Sequence, residues 1–242
     1  MKFFFNIILK IVDFFYQKKI ITFFKKNTNS EYQILIDVGA HNGETIVNFL
    51  KNFKIKNIYS FEASQKSYQK LENNIKKIRK IYKDTNIEIF NTGIGNSNEE
   101  RVFNELPDSN SSTFNFIDQN SSYFKRKEKI LSFFFHQVFT IKKNIVSQIK
   151  LDKFIEEKKI NNIDILKIDT EGYELEVLKG LKNNIQFVKF IYFEHHYDNM
   201  IKKNYKFSEI HDFLINNGFF RVFKIKMPLR KSFDYVYSQK NV

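Results

Sequence analysis

The chain has 242 residues, enough for one α/β domain with a substantial core. It contains no cysteine, which excludes disulfides, thiolate zinc sites and a cysteine nucleophile and suits a reducing compartment. Its net charge of +13 would suit a nucleic-acid partner, but the lysines are scattered and arginines, the usual base readers, are few.

Residues 1–30 read as an amphipathic helical extension. Lys10, Asp13, Lys18 and Lys19 interrupt any apolar run of about 20 residues, the length needed to span a bilayer. No small-residue cleavage site follows, as a signal peptide requires. Two readings stay open. The helix packs on the domain, or residues 1–25 lie on the inner face of a membrane with Lys18, Lys19, Lys25 and Lys26 meeting anionic lipid. The expected location is the cytoplasm, with that peripheral contact as the variant.

The stretch Ile34-Leu-Ile-Asp-Val-Gly-Ala-His-Asn-Gly-Glu44 organises the rest of the chain. A short apolar run leads to Asp37 and to a turn carrying Gly39 and Gly43; then Ile46, Val47, Phe49 and Leu50 fall at helical spacing. Glycines at such a turn let a ligand lie directly on the backbone. The spacing is not the G-x-G-x-x-G of a dinucleotide site. A carboxylate at the strand tip repels a pyrophosphate and attracts an ammonium. The next strand, Asn57–Glu62, ends in a second acid, placed about 20 residues beyond the glycine turn to accept hydrogen bonds from a ribose. A cationic, adenosine-containing ligand such as S-adenosylmethionine (SAM) therefore fits better than NAD.

A cover helix is expected from Ser64 to Ile81, with Tyr68, Leu71, Ile75 and Ile78 on one face. Asn86–Phe90 reads as a third strand, ending at Asn91-Thr-Gly-Ile-Gly95, where Asn91 or the Gly93 backbone could meet an adenine edge. Residues 96–150 form a lid-like insertion: a strand near Arg101–Asn104, the polar loop 108–113, an irregular or helical part, and a strand near Phe139–Lys143. The run Phe133–Phe135 reads as core or lid packing.

A second strand–turn–helix unit lies at Ile163-Asp-Ile-Leu-Lys-Ile-Asp-Thr-Glu-Gly-Tyr-Glu174, with Gly180 ending the helix as a residue past the C-cap would. Asp169, Glu171 and Glu174 crowd that strand tip, where open α/β sheets hold ligands. Phe187–Phe193 is the next strand, tipped by Glu194-His-His-Tyr197. His195 and His196 alternate in direction, so at most one faces a given site. The spacing of these groups does not specify a metal, and none is assigned. A helix from Ser208 to Asn217 stops at Gly218, and Phe219–Ile225 and Phe233–Ser238 make an antiparallel pair.

Asp37-Val-Gly-Ala-His-Asn-Gly-Glu44 and Leu166-Lys-Ile-Asp-Thr-Glu-Gly-Tyr-Glu174 together resemble the FkbM-type family of SAM-dependent methyltransferases. Phe61-Glu62, Ser111–Thr113, Leu178-Lys-Gly180 and Phe193-Glu194 add to the likeness, which runs from Ile34 to Tyr197 and leaves residues 1–30 outside. The resemblance implies a class I methyltransferase fold: a seven-stranded, mostly parallel sheet with an antiparallel C-terminal hairpin. It implies methyl transfer to a hydroxyl of a sugar, glycan or other small molecule. Asp37, Gly39, Ala40 and Gly43 would cradle SAM, Glu62 would hold its ribose, and Asn91 and Gly93 would border the adenine. Asp169 would line the transfer site with Glu171 behind it, and Asp169 or His195 would take the acceptor's proton. An RNA acceptor and a non-catalytic membrane-surface protein that keeps the fold remain as rivals.

Overall fold

The structure is a computed structural model describing residues 2–107, 111–135, 140–228 and 230–239. The chain runs α1 (Lys2–Asn27), β1 (Glu31–Val38), α2 (Glu44–Leu50), β2 (Lys54–Phe61), α3 (Gln65–Ile81) and β3 (Asn86–Phe90). An excursion comes next: β4 (Gly93–Ile94), β5 (Glu99–Glu105), β6 (Phe116–Ile117), α4 (Ser122–Phe135) and β7 (Lys142–Ile149). The main sheet resumes with α5 (Leu151–Lys158), β8 (Ile163–Ile168), α6 (Glu174–Lys179), β9 (Val188–His196), β10 (Ile201–Lys202), α7 (Phe207–Asn216), β11 (Phe219–Lys226) and β12 (Ser232–Gln239).

Seven strands form the central sheet in the order β3-β2-β1-β8-β9-β12-β11. Every pair from β3 to β9 is parallel; β12 runs antiparallel to both β9 and β11. This is the class I methyltransferase topology that the two motifs imply. All six residues of β8 are buried, as a parallel strand covered on both faces must be. Alternation sorts the core: Ile36, Leu166 and Ile168 face α5, α6 and α7, whereas Leu35, Ile58 and Ile165 face α1, α2 and α3.

Helix α1 joins the second of these layers through Tyr16, Ile20, Ile21 and Phe24. The Phe24 ring lies 5.5 Å from that of Phe49 and 5.8 Å from that of Phe190, and Phe23 stacks on Phe223 at 4.7 Å. Lys18, Lys19, Lys25 and Lys26 are exposed. Among the described residues, no helix is long and apolar enough to cross a membrane.

Three expectations need correction. The strand foreseen near Phe139–Lys143 begins at Lys142 and runs to Ile149, pairing with β5 and β4; residue 139 lies outside the described residues. Five of its first six residues are exposed, so no apolar alternation marks it in the sequence. Phe133 is 68% exposed and lies outside the buried core. Gly180 is right-handed (φ −73°), not a left-handed cap. It is glycine because an added Cβ would lie 1.9 Å from the Gly95 carbonyl oxygen, where the excursion crosses α6.

Candidate active site

The ends of β1, β2 and β8 are tied together by backbone hydrogen bonds. The N–H groups of Gly39 and Ala40 donate to Phe61 O at 2.9 and 3.0 Å, and Asp169 N donates to Val38 O at 2.9 Å. Gly39 has φ +80°, and a Cβ there would sit 1.9 Å from the Asp169 carbonyl oxygen. Only glycine fits, and the bare backbone it leaves forms one wall of a cleft. Gly43, at φ +88°, caps α2 and packs toward Leu71, behind that wall.

Glu62 stands at the opposite wall, buried and fixed. Its Oε2 accepts from His41 N and its Oε1 from Ser64 N, both at 2.8 Å. Burial pushes its carboxyl up, against the pull of those two donors. Asn91 does not line the cleft; its Nδ2 donates to Glu62 O at 2.9 Å and braces the second strand tip from behind. Thr92 and Gly93 line the cleft instead, and Gly93 lies against Phe114, whose ring a Cβ would strike. The cleft encloses about 1020 Å³ of empty space, its open mouth included. Gln17 of α1 lines it too, so the N-terminal helix supplies part of the wall.

Asp37 is fully buried beneath the cleft and does not line it. The Lys167 ammonium stands between, 3.3 Å from Asp37 Oδ1, 3.3 Å from Asp169 Oδ2 and 3.3 Å from the Gly39 carbonyl oxygen it donates to. Burial opposes the charge on Lys167, yet the two carboxylates hold its pKa above the ordinary lysine value. Burial likewise opposes ionisation of Asp169, but Lys167 and then His196 outweigh it, and the carboxyl lies below its usual range. Direct contact between Asp37 and a ligand's amine is therefore not what the geometry offers. Asp37 sets Lys167, and Lys167 sets the Gly39 turn and Asp169.

The third group lies at the tips of β8 and β9. Glu171, in a left-handed backbone conformation at φ +51°, and Glu194 both line the cleft. His196 Nε2 lies 3.2 Å from Glu171 Oε2 and 3.2 Å from Glu194 Oε1, and its Nδ1 lies 3.5 Å from Asp198 Oδ2. Burial disfavours the imidazolium, but the carboxylates overcome that and push His196 up to about 10. Burial, opposed by His196 and reinforced by Glu194, pushes Glu171 up to about 8.

His195 does not join this group. It points to the other face of β9, among the rings of Tyr197, Phe207 and Tyr205, at 4.8, 5.4 and 6.0 Å. Burial is the main cause that pushes it down to about 3, so it is neutral there. The strand's two-residue period allows one histidine to face the cleft, and that one is His196. From sequence, Glu194 and His196 stand out at the tip of β9 without an assigned role, whereas Lys167, Gln17 and Arg230 do not stand out. The signal for Lys167 is a lone cation within the apolar run Ile165–Ile168, which demands acidic neighbours. Among the described residues no group of three His, Cys, Asp or Glu side chains is arranged to hold a metal.

The backbone bared by Gly39 and Ala40, the buried acid Glu62 and the ionised Asp169 suit a ligand with an adenosyl part and a positive charge, as SAM has. A model of the FkbM methyltransferase domain matches residues 37–221. Hexuronic acid methyltransferase AglP of Haloferax volcanii is 38% identical over 61 residues, 25% of this chain and 26% of that protein. The crystal structure of an FkbM methyltransferase from Methylobacillus flagellatus superposes with a TM-score of 0.55 at 13% identity, covering 86% of this chain and 44% of that one. Magnesium protoporphyrin IX methyltransferase of Synechocystis, with SAM bound, superposes at 0.54 and 8% identity over 96% and 82% of the two chains. The chain thus spans about a quarter of AglP and under half of the M. flagellatus protein. By fold and by the match over residues 37–221, it belongs to the FkbM family of SAM-dependent methyltransferases.

Proposed function

We propose that this chain is an O-methyltransferase that carries a methyl group from SAM to a hydroxyl of a sugar, glycan or other small molecule. The observation that carries this reading is the convergence of the Gly39–Ala40 backbone, buried Glu62 and Asp169 on one cleft at the ends of three parallel strands. In this reading residues 31–242 are the catalytic unit and 96–150 form a lid over the strand ends. Gly39, Ala40, Thr92 and Gly93 hold the donor's adenosyl half, with Gly43 and Asn91 bracing them, and Glu62 accepts from its ribose. Asp37 acts through Lys167.

SAM, when bound, supplies a methyl group on a sulfonium that departs neutral. The chain's task is to align an acceptor oxygen, exclude water and receive a proton. Asp169, ionised and with its side chain 32% exposed, is placed to orient the acceptor hydroxyl. Its low proton affinity makes it a better orienter than base.

The family membership and the AglP match, a protein named for methylating a hexuronic acid, favour a sugar acceptor. The strand tip Asp169-Thr-Glu-Gly lacks the Asn/Asp-Pro-Pro-aromatic pattern of nitrogen methylation, which weighs against RNA. The exposed Lys18, Lys19, Lys25 and Lys26 beside a largely apolar segment support a cytoplasmic protein that also touches anionic membrane through residues 1–25. Flotation with phosphatidylglycerol vesicles tests this contact. Full chain should float and chain lacking residues 1–14 should not; equal partitioning refutes it.

Mass spectrometry of surface polysaccharide and lipid-linked glycan, from cells with and without this chain, tests the main reading. One glycan species should lose the mass of a methylene group, the net gain of an O-methylation, when the chain is absent. An unchanged glycan profile beside an altered RNA methylation profile overturns the glycan acceptor.

A further inference from the structure

We propose that Glu171 is the group that takes the acceptor's proton and that His196, clasped between Glu171 and Glu194, is the positioning residue that tunes it. The inference rests on the methyl-transfer reading and extends it to residues of β9 and to a proton path. Glu171 and Glu194 come from different strand tips, yet both line the cleft and both reach the same imidazole nitrogen at 3.2 Å.

Glu171 Oε2, Glu194 Oε1 and His196 Nε2 are buried at ion-pair distance without meeting hydrogen-bond geometry. Buried polar atoms are rarely left so, and an incoming hydroxyl donor would complete the set. Glu171 is also held at φ +51°, a conformation costly for a non-glycine residue, which is the kind of strain that collects at functional sites. Asp198 on Nδ1, whose backbone turn is fixed by Met200 N donating to its Oδ1 at 3.0 Å, sets the tilt of the imidazole. Lys203 donates to the His196 carbonyl oxygen.

The charges facing this cluster come from every element around it. Asp169 stands beside Glu171 on the same turn, Lys127 of α4 faces Glu171, and Arg230, before β12, faces Glu194 and Asp169. Asp234 of β12 lies opposite Glu194 in register, accepts from Tyr192 OH at 2.8 Å and is met by the Tyr16 hydroxyl of α1. Cations and acids nearly balance there, so a proton is held by the cluster as a whole rather than by one residue.

The acceptor oxygen forms its bond to the methyl carbon as the methyl–sulfur bond breaks, and the pair of that bond leaves with a neutral sulfur. The hydroxyl proton passes to the ionised Glu171 carboxylate, and His196 keeps its own proton throughout, offsetting the negative charge of Glu194. After product leaves, Glu171 returns the proton to water.

Two substitutions distinguish this from a structural role because they act in opposite directions. Removing the imidazolium (His196→Gln) takes away a positive neighbour, so Glu171 ionises at higher pH. Removing the second carboxylate (Glu194→Gln) takes away a negative neighbour, so it ionises at lower pH. The readout is methyl label transferred from SAM into glycan extract of cells lacking this chain, as a function of pH. His196→Gln should move the rising limb up by at least one pH unit, a loss of about 10-fold near neutrality that recovers in alkali, and Glu194→Gln should move it down. Glu171→Gln should lose about 100-fold or more at every pH.

A second measurement needs no acceptor. Nitrogen-15 NMR of the full chain should find His196 doubly protonated through pH 8, with its titration falling in both Glu171→Gln and Glu194→Gln. Limbs that stay put, or a His196 that titrates at the ordinary histidine value whatever its neighbours, overturns the inference. If wild-type chain incorporates no label while His196 titrates as expected, the acceptor reading fails and the clasped imidazole stands.

Discussion

The two halves of the cleft treat charge in opposite ways. Beneath the Gly39 turn the protons are settled: Lys167 keeps its own between Asp37 and Asp169, and Asp169 is held below its usual range. Lys167 also donates to the turn that carries the bare Gly39 backbone, although burial pushes Asp37 up and neither of its oxygens meets hydrogen-bond geometry. Around His196 they are not settled: Glu171 and Glu194 compete for one imidazole, and burial pushes both carboxyls up, Glu171 to about 8. A settled ion network makes a rigid seat, which suits a cofactor that binds the same way each cycle. An unsettled one keeps proton affinities near neutrality, which suits chemistry.

The contrast can be broken most forcibly on the settled side. Lys167→Met leaves Asp37 buried without its counter-charge and is expected to cost about 3–5 kcal/mol, read as a fall in the midpoint of urea unfolding. A loss under about 1 kcal/mol would mean the pair is not what fixes this tip.

On the unsettled side the expected effect is a pH dependence. Glu171 and Asp234 are raised to about 8 and His196 to about 10, all above their unfolded values, so the folded state binds more protons. That stability is complete below the unfolded values and is lost as pH rises through the folded ones. Thermal stability should therefore decline between about pH 5 and 10, and Glu171→Gln should flatten the decline. A flat wild-type profile over that range contradicts the strained cluster.

The smallest effect sharpens the choice of histidine. His195→Phe replaces a neutral ring by another in an aromatic nest and should cost less than about 1.5 kcal/mol, with methyl transfer retained. Its loss of activity would return His195 to the site.

Much of this was legible in the chain itself, and the misses have physical causes. The two strand–turn–helix units announce themselves because buried parallel strands read as apolar runs and because Gly39 and Gly172 hold conformations few other residues accept. From sequence Asp37 reads as a ligand contact, whereas the fold buries it against Lys167, which lies opposite it only once β1 pairs with β8. Choosing between His195 and His196 requires the phase of β9, which a run of nine buried or nearly buried residues does not reveal. Strand β7 has too few buried side chains to show a period. Tyr16 and Gln17 belong to a helix outside the family's matched residues, so nothing in the motifs draws attention to them.

The most direct measurement is isothermal titration of the full chain with SAM, in wild type and Glu62→Gln. Wild type should bind SAM at one site per chain, and the substitution, which removes a charge-assisted acceptor, should weaken binding about 10-fold, or ~1.4 kcal/mol. NAD should give no heat. A folded wild type that binds no SAM, or a Glu62→Gln chain that binds it unchanged, contradicts a donor seat between the first two strand tips.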